Sequence, residues 1–165
     1  MKIKNIKLIR IPYFDYVISP QNWSGIKCEH FPPLALGVIT SYLRNKGIEI
    51  EQDDLQVKVH YDNFHNPDKN SHVDGRAFSD RERVLSYLMG GKDAHLDKLS
   101  EIIVRKTGFK DFDLILLSAS PPLEITPILS ALILAKKIKN EYGVPVVVGG
   151  CGIPNEWLLG LRLKI

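Results

Sequence analysis

Residues 111–150 read DFDLILLSASPPLEITPILSALILAKKIKNEYGVPVVVGG, and this stretch decides the fold class. The run from Leu114 to Ala119 is apolar on both faces, the pattern of a strand in the middle of a sheet covered by helices on each side. After Pro121-Pro122 a helix is expected from about Glu124 to Glu141, with Ile125, Ile128, Leu129, Leu132, Ala135 and Ile138 along one stripe. Glu124 near its start and Lys136, Lys137 and Lys139 near its end complement the helix dipole. Gly143 stops the helix, and Val144 to Val148 form the next strand, closed by Gly149-Gly150. A strand ending in small hydroxyl residues beside one ending in paired glycines opens the carboxyl edge of a parallel sheet, where a flat ligand can lie against bare backbone.

Working outward, Ile3 to Ile11 reads as the first strand, ended by Pro12, which cannot donate to a ladder. An aromatic-bearing loop from Tyr13 to Phe31 follows. Pro32-Pro33 opens a helix over Leu34 to Lys46 with Leu36, Ile39 and Leu43 on one face and Gly47 just past its end. The second strand is expected over Ile48 to Leu55. The connection from about 56 to 110 is too long for a plain loop and should carry structure of its own. Ser79-Asp80-Arg81-Glu82 reads as a helix start, with Val84, Leu85 and Leu88 as its apolar set and Gly90-Gly91 as its stop. A further helix is expected from about Ala94 to Lys106, with Leu96, Leu99, Ile102 and Ile103 at helical spacing. The polar stretch His60 to Gly75 is expected to be a mobile surface loop.

Strands alternating with helices give an α/β fold, a doubly wound parallel sheet of flavodoxin-like or Rossmann-like type with right-handed crossovers. With 165 residues, 44% of them hydrophobic, the chain suits a single domain over 1–165 with a helical insertion at about 56–110. Asn155 to Gly160 reads as one helical turn and Leu161 to Ile165 as a frayed or stub strand, so the sheet is expected to be truncated near its last strand.

Twenty-two basic against nineteen acidic residues are interspersed along the chain, which argues against a nucleic-acid footprint. The densest basic stretch, Lys2, Lys4, Lys7 and Arg10, reads as the solvated end of a strand. Asp53-Asp54 likewise reads as a solvated strand end with a capping role. Lys7 and Arg10 interrupt the first apolar run, so it is no signal peptide, and no segment reaches membrane-spanning length. Two cysteines far apart, Cys28 and Cys151, make no disulfide framework, and a cytoplasmic location is expected.

Several chemistries lack their residues. The place after the first strand holds Arg10-Ile11-Pro12-Tyr13-Phe14, with none of the glycines of a dinucleotide fingerprint. Gly90-Gly91-Lys92-Asp93 follows a helix, so it is no phosphate loop. A phospho-receiver would need an aspartate where Ser118-Ala119-Ser120 stands. His60, His65 and His72 are irregularly spaced, Cys28 and His30 form a lone pair, and neither group makes a metal site. No nucleophile, base and orienting acid assemble into a catalytic site. The rim itself remains. Ser118 and Ser120 offer hydroxyls with little bulk, and Gly149, Gly150 and Gly152 offer backbone without a Cβ. Serine and glycine also end ordinary strands in tight turns, and the pattern alone leaves both readings open.

Phe31-Pro32-Pro33-Leu34-Ala35-Leu36-Gly37, Tyr42-Leu43-Arg44, Gly47-Ile48-Glu49-Ile50, Asp111 to Ser118, Ala135 to Lys139 and Val144 to Gly150 together resemble the amino-terminal cobalamin-binding domain of radical S-adenosylmethionine enzymes. The segment Phe78 to Leu99 is similar to the helical segment many of these enzymes carry before the third strand. The resemblance covers nearly the whole chain. It implies a corrin ring over the carboxyl edge with its nucleotide tail running down into the fold. Ser118 and Ser120 would match the serine-containing turn, Gly149-Gly150 the glycine pair beside the tail, with Gly152 following, and Tyr13 and Leu34 would contact the corrin.

Two departures shape the expectation. The D-x-H-x-x-G signature is missing after the first strand, and Asp93-Ala94-His95-Leu96-Asp97-Lys98 imitates it only at a helix start, so cobalamin would bind without a protein histidine on cobalt. The C-x-x-x-C-x-x-C motif of the radical chemistry is missing as well. An iron–sulfur cluster and S-adenosylmethionine would therefore sit on a missing or separate catalytic domain, in cis or in trans. The expected function is a cobalamin-binding module, a fragment or a stand-alone chain, that presents the corrinoid for methyl transfer or related radical chemistry, with no nucleic-acid or membrane partner. The alternative is a degenerate α/β interaction module without cofactor.

Overall fold

The structure, a computed structural model, describes residues 3–12, 34–65, 73–119 and 126–150. Strand β1 (Asn5–Arg10) hydrogen-bonds on one side to β2 (Glu49–Asp54) and on the other to β3 (Leu114–Ser118), and β3 carries β4 (Val146–Gly149) on its far side. Every pairing is parallel, and the order is β2-β1-β3-β4. Helix α1 (Leu34–Arg44) lies between β1 and β2 in the chain, and α5 (Thr126–Tyr142) between β3 and β4. Between β2 and β3 come α2 (Leu55–His65), a 3₁₀ turn (Gly75–Phe78), α3 (Arg81–Leu88) and α4 (Ala94–Val104). This is the doubly wound, flavodoxin-like α/β architecture that the sequence predicts.

Alternation along the strands divides the core in two. Ile9, Ile115, Leu117 and Ala119 face the larger cluster, which holds Leu96, Leu99 and Ile103 of α4 and Leu129, Ile133 and Leu134 of α5. Ile6, Leu8 and Ile50 face the other way and pack on Leu36 of α1. The connections β1 to β2 and β3 to β4 run toward opposite edges of the sheet. Right-handed crossovers therefore put α1 and α5 on opposite faces, and the winding reverses between β1 and β3.

The helix ends follow their punctuation. Asp80 caps α3, its side chain accepting from the Arg83 amide, and Asp93 caps α4 by accepting from the amides of His95 and Leu96. Gly47 at φ 74° and Gly143 at φ 67° turn the chain out of α1 and α5 in a conformation that costs other residues energy.

Four expectations need correction. First, His60 to His65 belong to a helix, α2, and not to a loop. The polar sequence hides two anchors one turn apart, Leu55 and Val59, which are 1% and 0% exposed. Second, Leu55 does not end β2. It begins α2, because Asp54 accepts the Val57 amide at 3.1 Å and turns the chain into the helix. Third, Lys7 and Arg10 are not solvated: they are 3% and 5% exposed, because β1 is the second strand of the sheet and has neighbours on both sides. Fourth, Asp53 is half-buried among hydrogen-bond donors, while Asp54 keeps the capping role.

Cover on the α1 face is incomplete among the described residues. Leu114, Leu116 and Ser118 are half-buried, and Val147 of β4 is 51% exposed. Helix α1 itself is apolar nearly all round, and Leu34, Val38 and Tyr42 point outward. Among the described residues no helix is long and apolar enough to cross a membrane.

Candidate functional site

The last residues of the four strands stand in one row. Asp54 pairs with Arg10, Arg10 with Ser118, and Ser118 with Gly149 in the parallel register. Residues in register share a face, so all four lie on the α1 side of the carboxyl edge. Strands spaced about 4.8 Å apart make this row roughly 14 Å long. The ladder continues one step further, with Ile11 N–H donating to Ser118 O at 3.3 Å and Ala119 N–H to Gly149 O at 2.7 Å.

Of the residues the sequence singles out, the structure brings Ser118 and Gly149 side by side on adjacent strands. Ser118 is half-buried, and its hydroxyl has no hydrogen bond among the described residues. Around Gly149 the space a Cβ would take is open, with no described heavy atom within 4 Å. Gly150 differs. Its φ is 146°, and a Cβ there would lie 1.8 Å from the Ala119 carbonyl oxygen, so chain packing already demands glycine. Leu34 opens α1 at the level of the carboxyl edge, and its apolar side chain is 82% exposed. Tyr13, Ser120 and Gly152 lie outside the described residues, as do His30, His72, Cys28 and Cys151.

Sequence reading missed the charged half of the row. Arg10 Nη1 lies 3.4 Å from Asp54 Oδ2. Three residues back and on the opposite face, Lys7 Nζ sits 2.6 Å from Glu51 and 3.6 Å from Asp53, with the Phe112 ring centroid 5.2 Å away. Lys58 pairs with Asp53 at 2.7 Å, and the Thr107 hydroxyl donates to the same carboxylate. Burial works to raise the Asp53 pKa, but the hydrogen bonds from Lys58 and Thr107, with the charges of Lys58 and Lys7, outweigh it and leave it below the usual value. A signal for this network existed. Lys7 and Arg10 are three residues apart, and so are Glu51 and Asp54, which is the spacing two paired strands need to match charge with charge.

Asp93, the residue that imitates the cobalt-ligand motif, is engaged in structure. Hydrogen bonding from Arg83 takes its pKa down to about 2, helped by the amides of Leu96 and His95. His60 and His65 lie on α2, where His65 packs against Tyr61 with ring centroids 4.4 Å apart. Among the described residues no group of three His, Cys, Asp or Glu side chains is placed to hold a metal ion.

Two hollows lie away from the row. One of about 480 Å³ runs between α5 and β4, lined by Leu132, Ala135, Val146 and Val148. The other, about 410 Å³, is framed by Val57, Lys58, Tyr61, Asp62 and Lys106. Neither is lined by Arg10, Ser118 or Gly149. Among the described residues, the convergence of polar groups where the winding reverses makes the row the candidate site. Comparison with protein-family models, with curated proteins and with solved structures found no match.

Proposed function

We propose that this domain binds a corrinoid over the carboxyl edge of its sheet and presents it to a radical S-adenosylmethionine catalytic unit, joined in cis or met in trans. The observation that carries the reading is the pairing of Ser118 with Gly149, where a short hydroxyl side chain stands beside a bare α-carbon with open space above it. A macrocycle edge can approach backbone there without meeting a Cβ. Leu34, exposed and apolar at the start of α1, offers van der Waals surface at the same edge. The resemblance of the ordered segments to the cobalamin-binding domain supplies the identity of the ligand.

When bound, cobalamin would supply a carrier for a transferable methyl group. The chain's own part is to hold and orient it. Ser118 would hydrogen-bond the nucleotide tail where it passes the sheet edge, Gly149 would allow close approach of the ring, and Leu34 would exclude water from one side. The iron–sulfur cluster and S-adenosylmethionine belong, on this reading, to the catalytic unit, since the chain holds two cysteines and no three-cysteine motif.

A second reading, an interaction module without cofactor, is favoured by α1, whose Leu34, Val38 and Tyr42 are 82%, 61% and 63% exposed. Titration with hydroxocobalamin under reducing, anaerobic conditions separates the two. The corrinoid reading expects a shifted visible spectrum and retention through gel filtration, both lost in a folded Gly149→Leu variant. Failure of the unaltered protein to retain any corrinoid leaves the interaction module standing alone.

A further inference from the structure

The carboxyl end of β1 carries a buried cation where the winding of the sheet reverses. Arg10 is 5% exposed, and its guanidinium lies 3.4 Å from Asp54 Oδ2. The other oxygen of that carboxylate accepts the Val57 amide at 3.1 Å, so the first turn of α2 fixes the acid that orients the base. Asp54 is not Arg10's sole partner, and a planar fork with five N–H donors can serve a carboxylate and a ligand oxyanion together. On the other side of Arg10, in register, stands Ser118, whose hydroxyl has no hydrogen bond among the described residues.

Ligands of open α/β sheets bind outside the carboxyl ends of the strands at the point where strand order reverses. Here that point is flanked by Arg10 and Ser118. A buried guanidinium is held at a large desolvation cost, and its geometry suits two oxygens of one phosphate. We infer that Arg10 and Ser118 grip a phosphate oxyanion of the ligand at the β1–β3 junction. The inference rests on the corrinoid reading, in which that oxyanion is the phosphodiester of the cobalamin nucleotide tail.

The test compares hydroxocobalamin with cobinamide, which lacks the nucleotide and its phosphodiester, in binding titrations of the full chain. Arg10→Gln is expected to weaken hydroxocobalamin about 10- to 100-fold, Arg10→Lys less, and Ser118→Ala about 3- to 10-fold, as charge-assisted and neutral hydrogen bonds would. Cobinamide affinity should not move in any of them. Equal loss for both ligands, or no loss for either, overturns the inference and leaves Arg10 a purely structural ion pair. Thermal melts check folding, and if Arg10→Gln does not fold, the Arg10→Lys and Ser118→Ala pair decides by the same comparison. Should the unaltered protein bind neither corrinoid, the corrinoid reading fails by itself, and calorimetry with adenosine monophosphate takes over. Binding that Arg10→Lys weakens keeps the oxyanion site; no binding removes it.

Discussion

The carbonyl oxygen of Ala119 occupies the place where a side chain on Gly150 would begin, 1.8 Å from the position of its Cβ. The chain leaving β3 and the chain leaving β4 therefore touch through backbone just past the sheet. Gly149, one residue earlier, faces open space. Two adjacent glycines thus stand in different surroundings, one held to glycine by the fold and one with open space where a side chain would begin.

Alanine substitution separates these reasons. Gly150→Ala combines a positive φ with a clash against backbone that cannot swing aside, and it should cost upward of about 2 kcal/mol. Gly149→Ala should stay within about 0.5 kcal/mol of the unaltered protein. Urea denaturation of both variants checks the pair; equal midpoints would show that the Ala119 contact does not constrain the turn.

Asp93 gives a prediction in pH. Its carboxylate caps α4 and is held to about 2 by Arg83. A folded-state pKa below the unfolded one means stabilisation that is complete above the ordinary carboxylate value of 3.8 and lost as pH falls toward 2. Asp93→Ala should cost about 1–2 kcal/mol at neutral pH, and the gap to the unaltered protein should close between about pH 4 and 2. Asp93→Asn keeps a capping oxygen and loses only a partly exposed ion pair, so its cost should be under about 1 kcal/mol.

Asp53 should matter more than Glu51. The Asp53 side chain is 9% exposed and serves Lys7, Lys58 and Thr107, whereas that of Glu51 is 57% exposed. Asp53→Ala should cost about 2–3 kcal/mol, less than the roughly 3–5 of a fully buried pair, because Lys7 keeps Glu51 and Lys58 reaches water. Glu51→Gln should cost under about 1 kcal/mol. Chemical denaturation at pH 7 ranks the two, and the reverse order would refute this account of the network.

Helix α1 yields a surface prediction. Val38 is 61% exposed on a helix with no charge before Arg44. Val38→Lys should leave the unfolding free energy within about 0.5 kcal/mol. It should also lower dye binding and light scattering at high protein concentration, since it breaks the apolar row between Leu34 and Tyr42. A large loss of stability would mean that Val38 is covered in solution.

The α/β class was legible because its signals are local. The apolar run at Leu114–Ser118, the stripe of α5 and the stops at Gly47 and Gly143 each follow from a few neighbouring residues. Helix α2 was not legible, because its buried apolar anchors are only Leu55 and Val59, while Val57 and Tyr61 are exposed and break the apolar stripe. The site was half legible. Ser118 and Gly149 could be named from composition, but Arg10 and Asp54 join them only through strand register, a long-range property that a single strand does not encode. For Gly150 the sequence shows that the residue is small, and not that the Ala119 carbonyl lies against it.

The matched charges of β1 and β2 also act as an alignment gauge. In the native register Lys7 meets Glu51 and Arg10 meets Asp54. A slip of one residue would set Lys7 against Gln52 with Arg10 against Leu55, or Lys7 against Ile50 with Arg10 against Asp53. A slip of two would oppose Arg10 to Gln56 or Gln52. Every such mispairing strands at least one cation against a neutral neighbour in a dry interior. Parallel strands meet late in folding, after long loops have closed, and this pair carries its own means of refusing the wrong partner offset.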